Sequence, residues 1–166
     1  MRYWTGGVVV LFFALLQAAS IEQFRIIGVA PNVMLVLLVA WTVVRGLDDV
    51  LPMIAVAGVT LGLVGLQTPG LVLLALLPIA ALGAVRELHI IHSDLLLVLG
   101  FAVAASLMYE SIMLVSVALS GGARDILVGV RHDVVPAAIV NLAITPPIYF
   151  IMRFAKPVDT RRRLSY

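Results

Sequence analysis

No cysteine occurs anywhere in the 166 residues. Disulfides, zinc–thiolate centres and thiol catalysis are therefore excluded. Charge is scarce as well: Asp, Glu, Lys and Arg make up 12% of the chain, against about 25% in a soluble domain. That leaves no room for a soluble domain. The chain contains no P-loop, no dinucleotide fingerprint and no HExxH. Basic residues are nowhere interleaved with aromatics as on a nucleic-acid surface. Ser106, Ser111 and Ser116 stand in an apolar run with no base at a readable spacing. Hydroxyls in such helices ordinarily bond back to their own backbone. The sequence therefore offers no catalytic residue and no cofactor site, and it argues against an enzyme.

What is present is apolar. Hydrophobic residues form 63% of the chain and the mean hydropathy is +1.16. This predicts an all-α membrane protein with a single integral membrane domain over residues 1–166. The net charge of +2 matters less than where the charges sit.

The longest apolar run is Leu95 to Leu119, 25 residues with one charge, Glu110. At about 1.5 Å per residue it spans a bilayer with some tilt. An ionised carboxylate near its middle costs roughly 2.5–3.5 kcal/mol against lipid. Glu110 must therefore face the bundle interior, find a partner or be protonated. It is either a neutral hydrogen-bonded packing residue or a ligand or proton site. No second buried charge is visible to complete a relay.

The other runs give five further spans, so six lie at about 4–21, 26–44, 50–66, 71–85, 95–119 and 134–152. The first is preceded by Arg2 and carries Tyr3 and Trp4, which suit a headgroup belt. It is read against a secretory signal, with Val8–Leu16 as apolar core and Gln17-Ala18-Ala19-Ser20 as cleavage site. The second span holds Pro31 and Asn32, so its helix either begins near Pro31 or kinks there. Trp41 is expected near the far interface. The third opens at Pro52, in a first helical turn. Its Gly58 and Gly62 have the GxxxG spacing of close helix packing. Gln67-Thr68-Pro69-Gly70 reads as a tight turn. The fourth span contains Pro78, a kink or a transporter-type interruption. Arg86–Asp94 is a loop in which His89 and His92, flanked by Glu87 and Asp94, suggest a metal site only weakly; a solvated loop is the default. Ser120–Asp133 is the longest loop, with a short interfacial helix around Ile126, Leu127 and Val130. The sixth span holds Asn141 and Pro146-Pro147.

Six spans put both termini on one side. That side collects Arg2, Arg45, Arg86, Arg153, Lys156, Arg161, Arg162 and Arg163, eight cations against three (Arg25, Arg124, Arg131) on the other. The balance predicts cytoplasmic termini. Arg161, Arg162 and Arg163 form a cytoplasmic anchor on anionic lipid, at ~1 kcal/mol per cation, or a docking site for a cytoplasmic partner. Counted from the outer ends of spans five and six, Glu110 and Asn141 reach similar depth. The expectation is that Asn141 donates a hydrogen bond to Glu110.

Three stretches in order resemble the MreD family of bacterial rod-shape proteins. The first is Ala30-Pro31-Asn32, then VMLVLLVAW and Arg45-Gly46. The second is Gly58-x-x-x-Gly62 running into Pro69-Gly70 and LVLLALLPIAAL. The third is IVNLAITPPIYFIMR, Ile139 to Arg153. Glu110 also falls where members can carry an acidic residue. The chain departs from the family at Leu66, where members often carry an Asp, which puts any polar site around that Asp in doubt. The resemblance implies a non-enzymatic scaffold of the cell-wall elongation (Rod) complex in the bacterial cytoplasmic membrane. Such a scaffold helps position peptidoglycan synthesis and so maintains cell shape. The implied partners are MreC, RodA, its penicillin-binding transpeptidase and MreB.

The family is also similar to the six-helix substrate-binding subunits of energy-coupling-factor transporters. The alternative is thus a vitamin-type binding subunit, with Glu110, Asn141 and Gln17 lining a pocket. Such a pocket needs polar groups and aromatics on the outer side. Here Tyr3, Trp4, Trp41, Tyr149, Phe150 and Phe154 gather at the cytoplasmic side. A third class, a small conduit, would need more intramembrane charge than Glu110.

Overall fold

The computed structural model describes residues 2–20, 28–65, 67–88, 93–121 and 126–154. They form an all-helical bundle. Its helices are α1 (Arg2–Ser20), α2 (Val33–Arg45), α3 (Leu47–Val64), α4 (Pro69–Glu87), α5 (Asp94–Leu119), α6 (Ile126–Gly129) and α7 (Val135–Phe154). A π-helical turn, Val130–Val134, joins α6 to α7. Among the described residues four helices are long and apolar enough to cross a membrane: α3, α4, α5 and the continuous Ile126–Phe154. This is the arrangement of a multi-pass membrane protein.

The centre of the bundle is α2. Every residue from Met34 to Val44 is buried. It packs against α1, α3, α4, α5 and α7. A helix apolar on all sides is stable only when enclosed in this way. Its 13 residues reach about 20 Å at 1.5 Å each, short of the ~30 Å hydrocarbon core. The expected second span therefore resolves as a half-helix starting at Asn32, because Pro31 cannot continue a helix hydrogen-bond ladder. Trp41 is only 6% exposed, packed among the helices that enclose α2.

Local chemistry sets the other boundaries. Gly46 takes φ +100° between α2 and α3, a conformation that suits glycine. Thr68 caps α4, with Pro69 in the first turn where no N–H is needed; the expected turn residues Pro69 and Gly70 thus open the helix. Ser93 Oγ accepts from Leu96 N at 3.4 Å to start α5. Helix α3 begins at Leu47, so Pro52 sits inside it rather than in its first turn.

The last span is longer than expected. The short helix expected around Ile126, Leu127 and Val130 is present, but it continues through Asp133 into α7 instead of lying in a separate loop. Pro136 lacks the N–H that would bond His132, and the ladder widens just before it. The Val135 N–H bonds the Val130 carbonyl, five residues back.

The GxxxG pair is used within the chain. A Cβ on Gly58 would lie 2.8 Å from Leu73 Cδ1, and one on Gly62 would lie 2.2 Å from Pro69 Cα. The two glycines let α3 and α4 touch backbone to backbone.

Candidate functional site

Starting a helix inside the bundle, where Asn32, Met34 and Leu35 are buried, leaves its first N–H groups to be met by protein. The structure meets this cost with side chains. Asn32 Oδ1 accepts from Leu35 N at 3.1 Å. Gln17 Oε1, on α1, accepts from Met34 N at 2.7 Å. Asn141 Oδ1, on α7, accepts from Asn32 N at 2.8 Å. The Asn32 carbonyl accepts the first bond of the helix, from Val36 N at 3.1 Å. The Asn32, Met34 and Leu35 amides are thus bonded to side chains of α1, α7 and the cap itself.

A second layer of bonds fixes those side chains. Gln17 Nε2 donates to Asn32 Oδ1 at 3.1 Å. Asn141 Nδ2 donates to Ser106 Oγ on α5 at 3.0 Å. Thr145 Oγ1 bonds back to the Asn141 carbonyl at 2.6 Å. Tyr109, one turn from Ser106, interacts through its hydroxyl with the Asn32 side chain. Asn32, Ser106, Asn141 and Thr145 are all buried.

Helix register explains why these four elements meet. Gln17 is 15 residues above Arg2, Ser106 is 12 above Asp94, and Asn141 is 13 from Phe154. At 1.5 Å per residue these are heights of about 18–22 Å, matching the ~20 Å of α2. All four helices therefore present an amide or hydroxyl at one level.

Of the candidate residues, Pro31, Asn32 and Asn141 come together here. Glu110 does not join them. The expected Asn141–Glu110 bond is replaced by the bond to Ser106, one turn earlier on α5. A span starting at Val134 puts Asn141 level with Glu110, but the last helix begins at Ile126, so its outer end is not level with that start. Glu110 is half-buried and interacts electrostatically with Asp133 of the π-turn. Gly58 and Gly62 lie apart, in the α3–α4 seam. The histidines His89 and His92 and the anchor Arg161, Arg162 and Arg163 lie outside the described residues. Among the described residues no three His, Cys, Asp or Glu side chains gather as a metal site.

Gln17, Ser106, Tyr109 and Thr145 complete the cluster. Ser106 is the exception to hydroxyls bonding their own helix: it accepts from another. Thr42 and Thr145 follow the rule. The signal for the cluster is the shared depth of single polar residues on separate apolar helices.

The arrangement caps and ties; it pairs no nucleophile with a base. Two cavities open elsewhere. One of about 520 Å³ lies between α4 and α5, lined by Leu74, Ile112, Val115, Leu119 and three serines. One of about 390 Å³ lies on α2 between α1 and α7. Compared with protein-family profiles, characterised proteins and solved structures, the chain matches none.

Proposed function

We propose that the chain is a non-enzymatic membrane scaffold of the MreD type, with six spans and both termini cytoplasmic. In this reading it belongs to the bacterial cell-wall elongation complex, binds the single-span protein MreC, and sits with RodA, its penicillin-binding transpeptidase and MreB. The observation that carries the reading is the use made of the intramembrane amides. Gln17, Asn32 and Asn141 are all spent on the head of α2 and on one another. A vitamin-type pocket would need them free to converge on a ligand. What remains for function is the apolar exterior, including Val59, Leu63, Leu96, Met108 and Val115. Such faces suit helix-to-helix association in lipid.

The test is gentle purification of the tagged chain from its own membranes, with co-purifying proteins identified by mass spectrometry. The expected result is a single-span protein with an extracytoplasmic coiled coil, together with wall-synthesis enzymes. Paired ATPase subunits and a coupling membrane protein would overturn the proposal in favour of a transporter.

A further inference from the structure

The cavity on α2 differs in kind from the capped cluster. Its floor is Leu37, Trp41 and Arg45 of α2. One wall is α1, through Phe13, and the other is α7, through Ile148 and Ile151. Helices α1 and α7 do not contact each other among the described residues, so the groove opens sideways towards lipid. The Arg45 guanidinium lies over the Trp41 ring, 5.3 Å from its centroid. Among the described residues two donors here have no hydrogen-bond partner: buried Trp41 Nε1 and Arg45 Nε. Trp41 itself is 94% buried, being 6% exposed. Neighbouring Asp48 and Asp49 do not line the groove.

Buried polar groups left without partners are rare, and each asks for an explanation. This groove sets the positive charge of Arg45 at one end of an apolar slot, with the two donors buried beneath it. We infer that it binds an anionic phospholipid, with the phosphate at Arg45 and Trp41 and an acyl chain along Phe13, Ile148 and Ile151. Arg45 closes the last turn of α2, the level at which a headgroup meets a helix end. Basic pockets between membrane helices take lipid headgroups in this way.

Charge separates a lipid from a partner helix. An apolar helix would leave the Arg45 cation unmatched in the groove, whereas a phospholipid sets its phosphate at Arg45 and its acyl chain along the apolar walls. The inference goes beyond the scaffold reading and does not depend on it.

The experiment is native mass spectrometry of the full chain released from detergent, titrated with phosphatidylglycerol or with phosphatidylcholine of the same acyl chains. The expected result is a retained phosphatidylglycerol adduct that outlasts phosphatidylcholine. Arg45→Gln weakens it about five-fold, the loss of one near-surface cation at ~1 kcal/mol. Ile151→Trp, a change at a lipid-facing position 66% exposed, fills the slot and abolishes the adduct while the fold is kept. Arg131→Gln, which removes the same charge at the other end of the bundle, leaves it unchanged. Equal retention of the two lipids, equal weakening by Arg45→Gln and Arg131→Gln, or full displacement by inorganic phosphate would each overturn the inference. So would a photocrosslinker at Ile151 that captures a protein in native membranes instead of lipid.

Discussion

Replacing Asn141 by Leu tests the capped half-helix directly. The side chains branch alike, so the change is chiefly one of hydrogen bonding, with some overpacking by the bulkier Leu at this buried position. Two bonds disappear: Asn32 N to Asn141 Oδ1 at 2.8 Å and Asn141 Nδ2 to Ser106 Oγ at 3.0 Å. The second is an ordinary interhelical bond, worth ~0.6 kcal/mol on average in membrane proteins. The first leaves a buried backbone N–H unpaired, at about 1–3 kcal/mol. Asn141→Leu should therefore destabilise the bundle by about 2–4 kcal/mol. Ser106→Ala removes only the second bond, leaving Asn141 Nδ2 without that acceptor, and should cost about 1 kcal/mol, less than Asn141→Leu. The assay is reversible unfolding in mixed SDS micelles, followed by circular dichroism. A double-mutant cycle with Gln17→Leu adds a further check, because both residues cap the same turn and must couple. Equal losses for Asn141→Leu and Ser106→Ala would refute the reasoning. So would an Asn141→Leu protein as stable as the parent that has lost a small-molecule ligand, for then the amide served a pocket.

Three further outcomes follow from the same structure. Gly62→Ala should cost more than Gly58→Ala in that unfolding assay. Its Cβ meets the Pro69 backbone at 2.2 Å, whereas the nearest atom to a Cβ on Gly58 is the flexible tip of Leu73; about 3 kcal/mol or more is expected for Gly62 and less for Gly58. Cross-linking should show the oligomeric state unchanged in both, since the seam lies within one chain. Gly46→Ala forces a side chain into φ +100° and should lose about 1–3 kcal/mol in the same titration. Glu110→Gln should leave stability unchanged or raise it, because it removes a carboxylate that faces Asp133. A loss beyond about 1 kcal/mol would mean that Glu110 holds a partner through its charge.

Helix positions were readable because their signals are local. Gly46, Thr68-Pro69 and Ser93-Asp94 mark boundaries by backbone chemistry that needs no distant partner. Pro31-Asn32 announced a start or a kink, and only the enclosure of α2 decides for a start. The burial of Trp41 was not readable, because a helix apolar on every side has no periodicity to show which face is enclosed. The last helix misled at Pro136, where a π-turn carries the helix through what reads as a loop. The capping cluster was hidden for a different reason: Asn32 bonds residues 15 and 109 positions away. Only once the helix ends are known do single polar residues on different helices fall at one depth.

That dependence also limits what the polar residues can do. A half-helix at mid-depth has N–H groups that must be met by protein, because lipid offers none. Gln17, Asn32 and Asn141 meet them, and so cannot also serve a solute without uncapping α2. Trp41 Nε1 and Arg45 Nε stand in the opposite condition: buried, with no partner and beside an open groove. The chain thus meets the Asn32, Met34 and Leu35 donors at the head of α2, whereas two near its foot have no partner among the described residues. Since α1 is held by α2 and α3 but not by α7, closing the groove from within would require moving a whole helix. A lipid entering from the side brings its phosphate to the Arg45 charge with no such movement. The scaffold proposal and the lipid proposal can accordingly fail separately, one by the proteins that co-purify and the other by the lipid that stays bound.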